Sequence, residues 1–261
     1  MRRVGSALAV ALLVVITGAL AGGPAGVRAS GDRSAGPGSW TQTGRTVLLG
    51  HSVRGRAIRA LRLGDPESPR KALVVGAIHG DEPAGMGVVR ELRRRWARLR
   101  GMDLWTVYTV NPDGVARGTR RNARGVDLNR NFSFRWHGGV PRASGYYPGP
   151  RPFSEPETRL VRRLLRRLRP RISIWYHQPW GQVLAPCPGF DAHLERRYSR
   201  ISDVPLKRCR GEHLPGTAVK WTEHHLRGAD AFVVELPAGR LGPAAARRNA
   251  RAAVATMRAA F

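Results

Sequence analysis

The sequence predicts a layered α/β domain on a largely parallel central sheet. Three observations carry this. ALVVGAI, residues 72–78, is a continuous apolar run, as in a strand buried on both faces. Short apolar runs alternate with longer amphipathic ones along the chain. The segment Glu157–Leu168 lines up Leu160, Val161, Leu164, Leu165 and Leu168 as one stripe opposite an arginine face.

Taken in order, Ala57–Leu63 alternates apolar and polar residues and reads as a strand, followed by the buried strand Ala72–Ile78. Pro83–Leu99 reads as a helix with Pro83 in its first turn, where a missing N–H costs nothing. Leu104–Val110 is a strand. Residues 111–155 are Gly/Pro-rich without periodicity, and a loop of that length in a compact domain points to function. The helix Glu157–Leu168, strands Arg171–Tyr176 and Ala231–Glu235, and a closing helix Ala244–Ala260 complete the pattern.

The 261 residues carry 45 Lys+Arg against 18 Asp+Glu, a net charge of +27, nearly all of the excess from arginine. With 42% hydrophobic residues and two cysteines, the composition excludes a coiled coil, a collagen, a disordered low-complexity chain and a disulfide-dense mini-scaffold. Arg2 and Arg3 precede an uncharged stretch whose apolar heart is too short for a comfortable span, then Gly22-Gly23-Pro24 and small residues around Val27-Arg28-Ala29. Residues 1–29 are therefore expected to be a cleaved secretory signal, 30–44 a flexible spacer and 45–261 one catalytic domain; an uncleaved anchor is the alternative for the first segment. The expected location is extracellular or in the cell wall, with no membrane span after cleavage. Such a charge favours polyanions. Secretion argues against nucleic acid and leaves an anionic cell-wall polymer as a partner. The arginines of 162–167 serve either that purpose or a solvated face. Cys187 and Cys209, the only cysteines, are expected to pair in an oxidising compartment; two free thiols are the alternative.

Three strand ends carry polar residues that packing does not need. They are His79-Gly80-Asp81-Glu82, His177 and Glu235. In an open α/β sheet, ligands bind outside the carboxyl ends of the strands. His79 and Glu82, three apart in one turn, could reach a single ion, and His177 would complete the two-His, one-Glu pattern of a catalytic zinc. Glu235 would then be the carboxylate that moves the proton. Taken singly, each has a plainer reading as a structural histidine, a cap or a salt-bridge partner.

The long loop reads Asn111-Pro112-Asp113-Gly114, then RGTRRNARGVDLNRNF at 117–132, then FSEPET at 153–158. With HGDE at 79–82 and VVELP at 233–237, these motifs resemble the zinc metallocarboxypeptidase (carboxypeptidase A-like) family, in the family's order, over about residues 50–240. The resemblance is closest to its bacterial murein peptide amidase branch. It implies a three-layer fold, with a mixed, mainly parallel sheet flanked by helices, and one Zn2+ held by His79, Glu82 and His177. It further implies Glu235 as general base and acid, Arg120 as stabiliser of the oxyanion, and Asn129 and Arg130 as holders of a substrate carboxylate. Asp127 would fix the tautomer of His79; a loop-closing turn is its alternative. Two departures stand out. Tyr176 replaces a frequent Ser before the second zinc histidine, and the substrate-covering Tyr of the digestive enzymes has no match near His213-Leu214-Pro215-Gly216. Lys220 either points into the primed-side pocket or lies on the surface. The six other histidines receive no role; His224 and His225, if on a strand, would face opposite ways.

The expected function is hydrolysis of a cell-wall peptide between γ-D-glutamate and a diaminopimelate-type residue, by a monomer acting on a peptide or muropeptide. The alternatives are a carboxypeptidase acting on ordinary peptides and a non-catalytic cationic wall-binding protein.

Overall fold

The computed structural model describes residues 41–43, 45–185, 191–207 and 214–261. The expected signal 1–29, most of the expected spacer, and both Cys187 and Cys209 lie outside the described residues. The chain opens with an antiparallel meander of β1 (Thr41–Thr43), β2 (Thr46–His51) and β3 (Ala57–Gly64). The elements β4 (Lys71–Val75), α1 (Ala84–Arg95), β5 (Asp103–Val107), α2 (Pro112–Arg117), α3 (Pro156–Leu168) and β6 (Ile172–His177) follow. Then come β7 (Trp180–Leu184), α4 (His193–Ser202), β8 (Leu206–Lys207), α5 (Ala218–His225), β9 (Asp230–Pro237) and α6 (Pro243–Ala259).

The strands form one sheet in the order β1-β2-β3-β5-β4-β6-β9-β7-β8. Its centre, β5-β4-β6-β9, is parallel, and antiparallel pairings join the centre to both flanks. The fold is the mixed, helix-flanked α/β sheet that the sequence predicts. The central strands are buried on both faces because their side chains alternate between two apolar layers. Ala72 and Val74 of β4 join Ile172, Ile174 and Tyr176 of β6 under α1, α4 and α6. Leu73, Val75 and Trp175 pack on the opposite face under α3 and α5.

Several boundaries differ from expectation. The sheet begins at Thr41, inside the stretch expected as spacer, because a Thr-rich segment pairs with β2. β4 ends at Val75, where single bonds from Gly76 N to Val107 O and from Val110 N to Ala77 O carry the chain out of the ladder. α1 stops at Arg95, since Trp96 leaves helical geometry while its N–H still reaches Leu92 O. His224 and His225 end a helix, not a strand: His225 stacks on Trp221 with ring centroids 4.7 Å apart, and His224 lies against Phe134.

Candidate active site

The carboxyl ends of the neighbouring strands β4, β6 and β9 deliver the polar residues. His177 closes β6 and stands in register with Glu235 on β9. His79 to Glu82 form the turn between β4 and α1. Gln178 fixes that turn: its Oε1 accepts from Ala84 N at 2.9 Å, capping α1, while its Nε2 donates to Pro237 O and Gly239 O. The turn also touches the NPDG segment so closely that a Cβ on Gly80 would stand 1.9 Å from the Gly114 carbonyl carbon. NPDG itself starts α2, with Pro112 in the first turn and the Asn111 side chain accepting from Gly114 N. Asn111 Nδ2 then donates to Arg120 O, which sets the position of Arg120.

Side chain to backbone bonds order the long loop. Asn122 Oδ1 accepts from Arg124 N and Val126 N, and its Nδ2 donates to Glu155 and Glu157. Asn131 ties DLNRNF to FSEPET through Ser154 Oγ, Glu155 N and Thr158 Oγ1. The Asp127 side chain accepts from Asn129 N and starts the 3-10 turn Leu128–Arg130. Gly216, at φ +65°, lies against this turn, where a Cβ would meet Arg130 O at 2.1 Å.

These elements bring His79, Glu82 and His177 together, each offering one ligand atom within 4.8 Å of the others; it is the one such group among the described residues. His177 Nδ1 lies 2.8 Å from Glu82 Oε2 and 3.2 Å from His79 Nδ1, and His79 Nδ1 lies 2.8 Å from Glu82 Oε1. Burial pushes the Glu82 carboxyl up, but the neighbouring His177 and His79 imidazoles outweigh it and hold it well below the usual range. Asp127 is likewise ionised; burial works against it, and His79 and Arg120 prevail. An ionised Asp127 only accepts, so His79 Nε2, 3.1 Å from Oδ1, carries the hydrogen. His79 Nδ1 is then a bare lone pair facing a carboxylate oxygen and a second imidazole nitrogen. Arg120 Nη1 answers one side of this cluster, 2.9 Å from Glu82 Oε1 and 3.2 Å from His79 Nδ1. A cation among the three acceptors resolves the rest, and two imidazoles with one carboxylate suit Zn2+.

The other expected residues surround the cluster. Arg120 forks onto Asp127 Oδ2 through Nε and Nη2. Asn129 Nδ2 lies 3.4 Å from His177 Nε2, while its Oδ1 accepts from Ala218 N at the start of α5. Arg130 Nη1 donates to Asn129 O. Glu235 is buried, and its Oε2 has no hydrogen-bond partner among the described residues. Burial, with the charge of Glu82 next, pushes its carboxyl up to about 7. All these residues except Asp127 line one cavity of about 1250 Å³.

Sequence reasoning gave no role to several cavity residues, an exposed apolar group among them. Tyr146, Trp180 and Leu214 are among the few exposed large apolar side chains, and all three line this cavity. The Tyr146 ring faces both the Arg120 and Arg130 guanidiniums, at 5.1 and 5.4 Å. Nothing in a Gly/Pro-rich loop marks Tyr146 in advance. Lys220, left open above, lines the cavity and pairs with Glu223 at 2.9 Å.

The sequence pattern of the zinc carboxypeptidase family matches residues 41–187, more than half of the chain. Murein peptide amidase A of Escherichia coli K12 is 31% identical over 166 residues, 59% of this chain and 66% of that relative, just under two thirds of its length. The solved murein-tripeptide amidase of Escherichia coli O157 is 26% identical with a TM-score of 0.67, covering 84% of this chain and 93% of that one. Carboxypeptidase A from Helicoverpa armigera shares the fold at 19% identity, with a TM-score of 0.71 over 86% of this chain and 69% of that one.

Proposed function

Because the chain belongs to the zinc carboxypeptidase family, we propose that it is a secreted zinc-dependent hydrolase of cell-wall peptides, cutting between γ-D-glutamate and a diaminopimelate-type residue. The observation that carries the reading is a buried carboxylate oxygen of Glu235, unpartnered among the described residues, in the same cavity as the His79–Glu82–His177 cluster. Relatives named as murein peptide amidases supply the substrate class. The exposed apolar side chains around the cavity suit contact with a peptide.

His79, Glu82 and His177 would hold the zinc. When bound, zinc polarises a carbonyl and lowers the pKa of water to about 7. Glu235 takes the proton of the attacking water and hands it to the leaving amine. A carboxyl held at about 7 can do both near neutral pH. The Trp180 backbone amide steadies Glu235, leaving Oε2 for the transfer. Arg120, anchored by Asp127, presents a fixed positive charge to the oxyanion without reorganising at the moment of reaction. Arg130 and Asn129 hold the carboxylate of the departing residue. Asp127 keeps the hydrogen of His79 on Nε2 and Nδ1 free to ligate.

The test is product analysis with zinc-loaded protein. L-alanyl-γ-D-glutamyl-diaminopimelate should yield free diaminopimelate faster than plain peptides yield C-terminal Phe, Leu, Lys or Arg. The reverse order makes the chain an ordinary carboxypeptidase using the same residues.

A further inference from the structure

The cavity does not end at Glu235. Away from the histidines it is also lined by Glu195 of α4, Lys207 of β8, and Lys220 and Glu223 of α5. Two acids and two bases share this region, so it carries no net charge when all four are ionised. Lys220 and Glu223 bond to each other, and their side chains are only about a quarter and a third exposed. Glu195 is 7% exposed. Among the described residues, its carboxylate meets only its own backbone amide. A carboxylate that merely opened a helix would be favoured by the helix dipole and sit below the ordinary range. Burial instead pushes this one up to about 7, with Asp230 and Glu223 adding to the shift. Among the described residues no cation pairs with the buried Glu195, which is turned into a cavity that holds charges of both signs.

We propose that this part of the cavity binds the end of the departing residue's side chain and selects an end that bears both an ammonium and a carboxylate. Glu195 and Glu223 take the ammonium, and Lys220 takes the carboxylate. A ligand with a lone cation would set an ammonium beside Lys220 and leave net charge in a half-buried region. A lone anion would do the same beside Glu195. A zwitterionic end replaces the internal Lys220–Glu223 pair charge for charge and brings a cation to Glu195. The inference rests on the amidase reading above for its substrate, since diaminopimelate ends in such a group.

The experiment uses zinc-loaded enzyme and three substrates with one scissile bond, L-alanyl-γ-D-glutamyl-X. X is diaminopimelate, lysine (ammonium only) or 2-aminopimelate (carboxylate only). Wild type should favour diaminopimelate by about tenfold or more in kcat/KM over each truncated substrate, the loss of one charge-assisted contact in a half-open pocket. Lys220→Met should erase the preference over lysine, and Glu195→Gln or Glu223→Gln the preference over 2-aminopimelate, through KM more than kcat. Equal rates for the three substrates, or ratios unchanged in the variants, overturn the assignment even if the γ-D-glutamyl bond is cut. If wild type cuts only plain peptides, the amidase reading fails. The same three residues at the C-terminus of a benzoyl-glycyl peptide then decide this proposal by the same ratios.

Discussion

Replacing Asp127 with Asn tests how the site is held. The carboxylate is fully buried and accepts four hydrogen bonds. Oδ1 takes His79 Nε2 at 3.1 Å and Asn129 N at 2.8 Å; Oδ2 takes Arg120 Nε at 3.1 Å and Nη2 at 2.9 Å. Asp127→Asn keeps the shape but turns one acceptor into a donor. With the new amide nitrogen toward Arg120, it meets two guanidinium donors. In the other orientation it meets the His79 N–H and the Asn129 N–H. Neither orientation escapes a donor–donor contact. Breaking a buried charged pair from one side costs about 3–5 kcal/mol. The Arg120 side chain is 26% exposed and also bonds Glu82, which brings the cost below that range, to about 2–3 kcal/mol of stability for the metal-free protein. Loss of the tautomer lock should weaken zinc by about 10–100-fold. Thermal unfolding of the apo-protein and zinc competition against a chelator measure the two effects separately. Unchanged zinc affinity together with unchanged kcat/KM would refute the role given to Asp127.

Glu235→Gln should retain zinc yet lose about 10²–10⁴-fold in kcat, since the shape stays and the proton acceptor goes; near-normal turnover removes Glu235 from the mechanism. Glu195 titrates near 4.5 when unfolded and, through burial, about 7 when folded. The folded state therefore binds more protons between those values, and stability falls as pH rises through that window. Glu195→Gln should raise Tm at pH 8 and leave it unchanged at pH 4; equal shifts at both pH values contradict the burial argument. Gly80→Ala would force a Cβ to within 1.9 Å of the Gly114 carbonyl carbon, so the HGDE turn must move. It should lower stability by about 1–3 kcal/mol and weaken zinc binding, both absent if the two loops are not in contact.

Much of the fold was legible because burial imposes a period. β3, β4, β6, α3 and α6 each pack a full stripe or both faces, and their patterns stand out in the sequence. The stretch between β6 and β9 was not legible. β7 is half exposed along most of its length, and only Val183 is fully buried. α4 and α5 have ten and eight residues, too few for periodicity to outweigh their charged positions. The loop 111–155 failed differently. Its order comes from Asn111, Asn122 and Asn131 bonding the backbone, and side chain to backbone bonds leave no periodic trace.

The site was legible where chemistry and topology coincide. His79, His177 and Glu235 lie at the carboxyl ends of strands that pair side by side, so a reading of strand ends already brings them to one edge. The motifs could not say which of their letters face the cavity. Within DLNRNF, Asn129 reaches His177 while Asn131 turns away to clamp residues 148–158. Both are asparagines in one hexapeptide, and only the turn that Asp127 starts separates them. Tyr146 and Gln178 escaped for the opposite reason, since each is a single residue outside any motif. Yet Gln178 joins the start of α1 to the end of β9, and so joins the turn that carries His79 and Glu82 to the strand that carries Glu235. The distance between the metal cluster and the proton acceptor is thus set in part by a residue whose sequence context announces nothing.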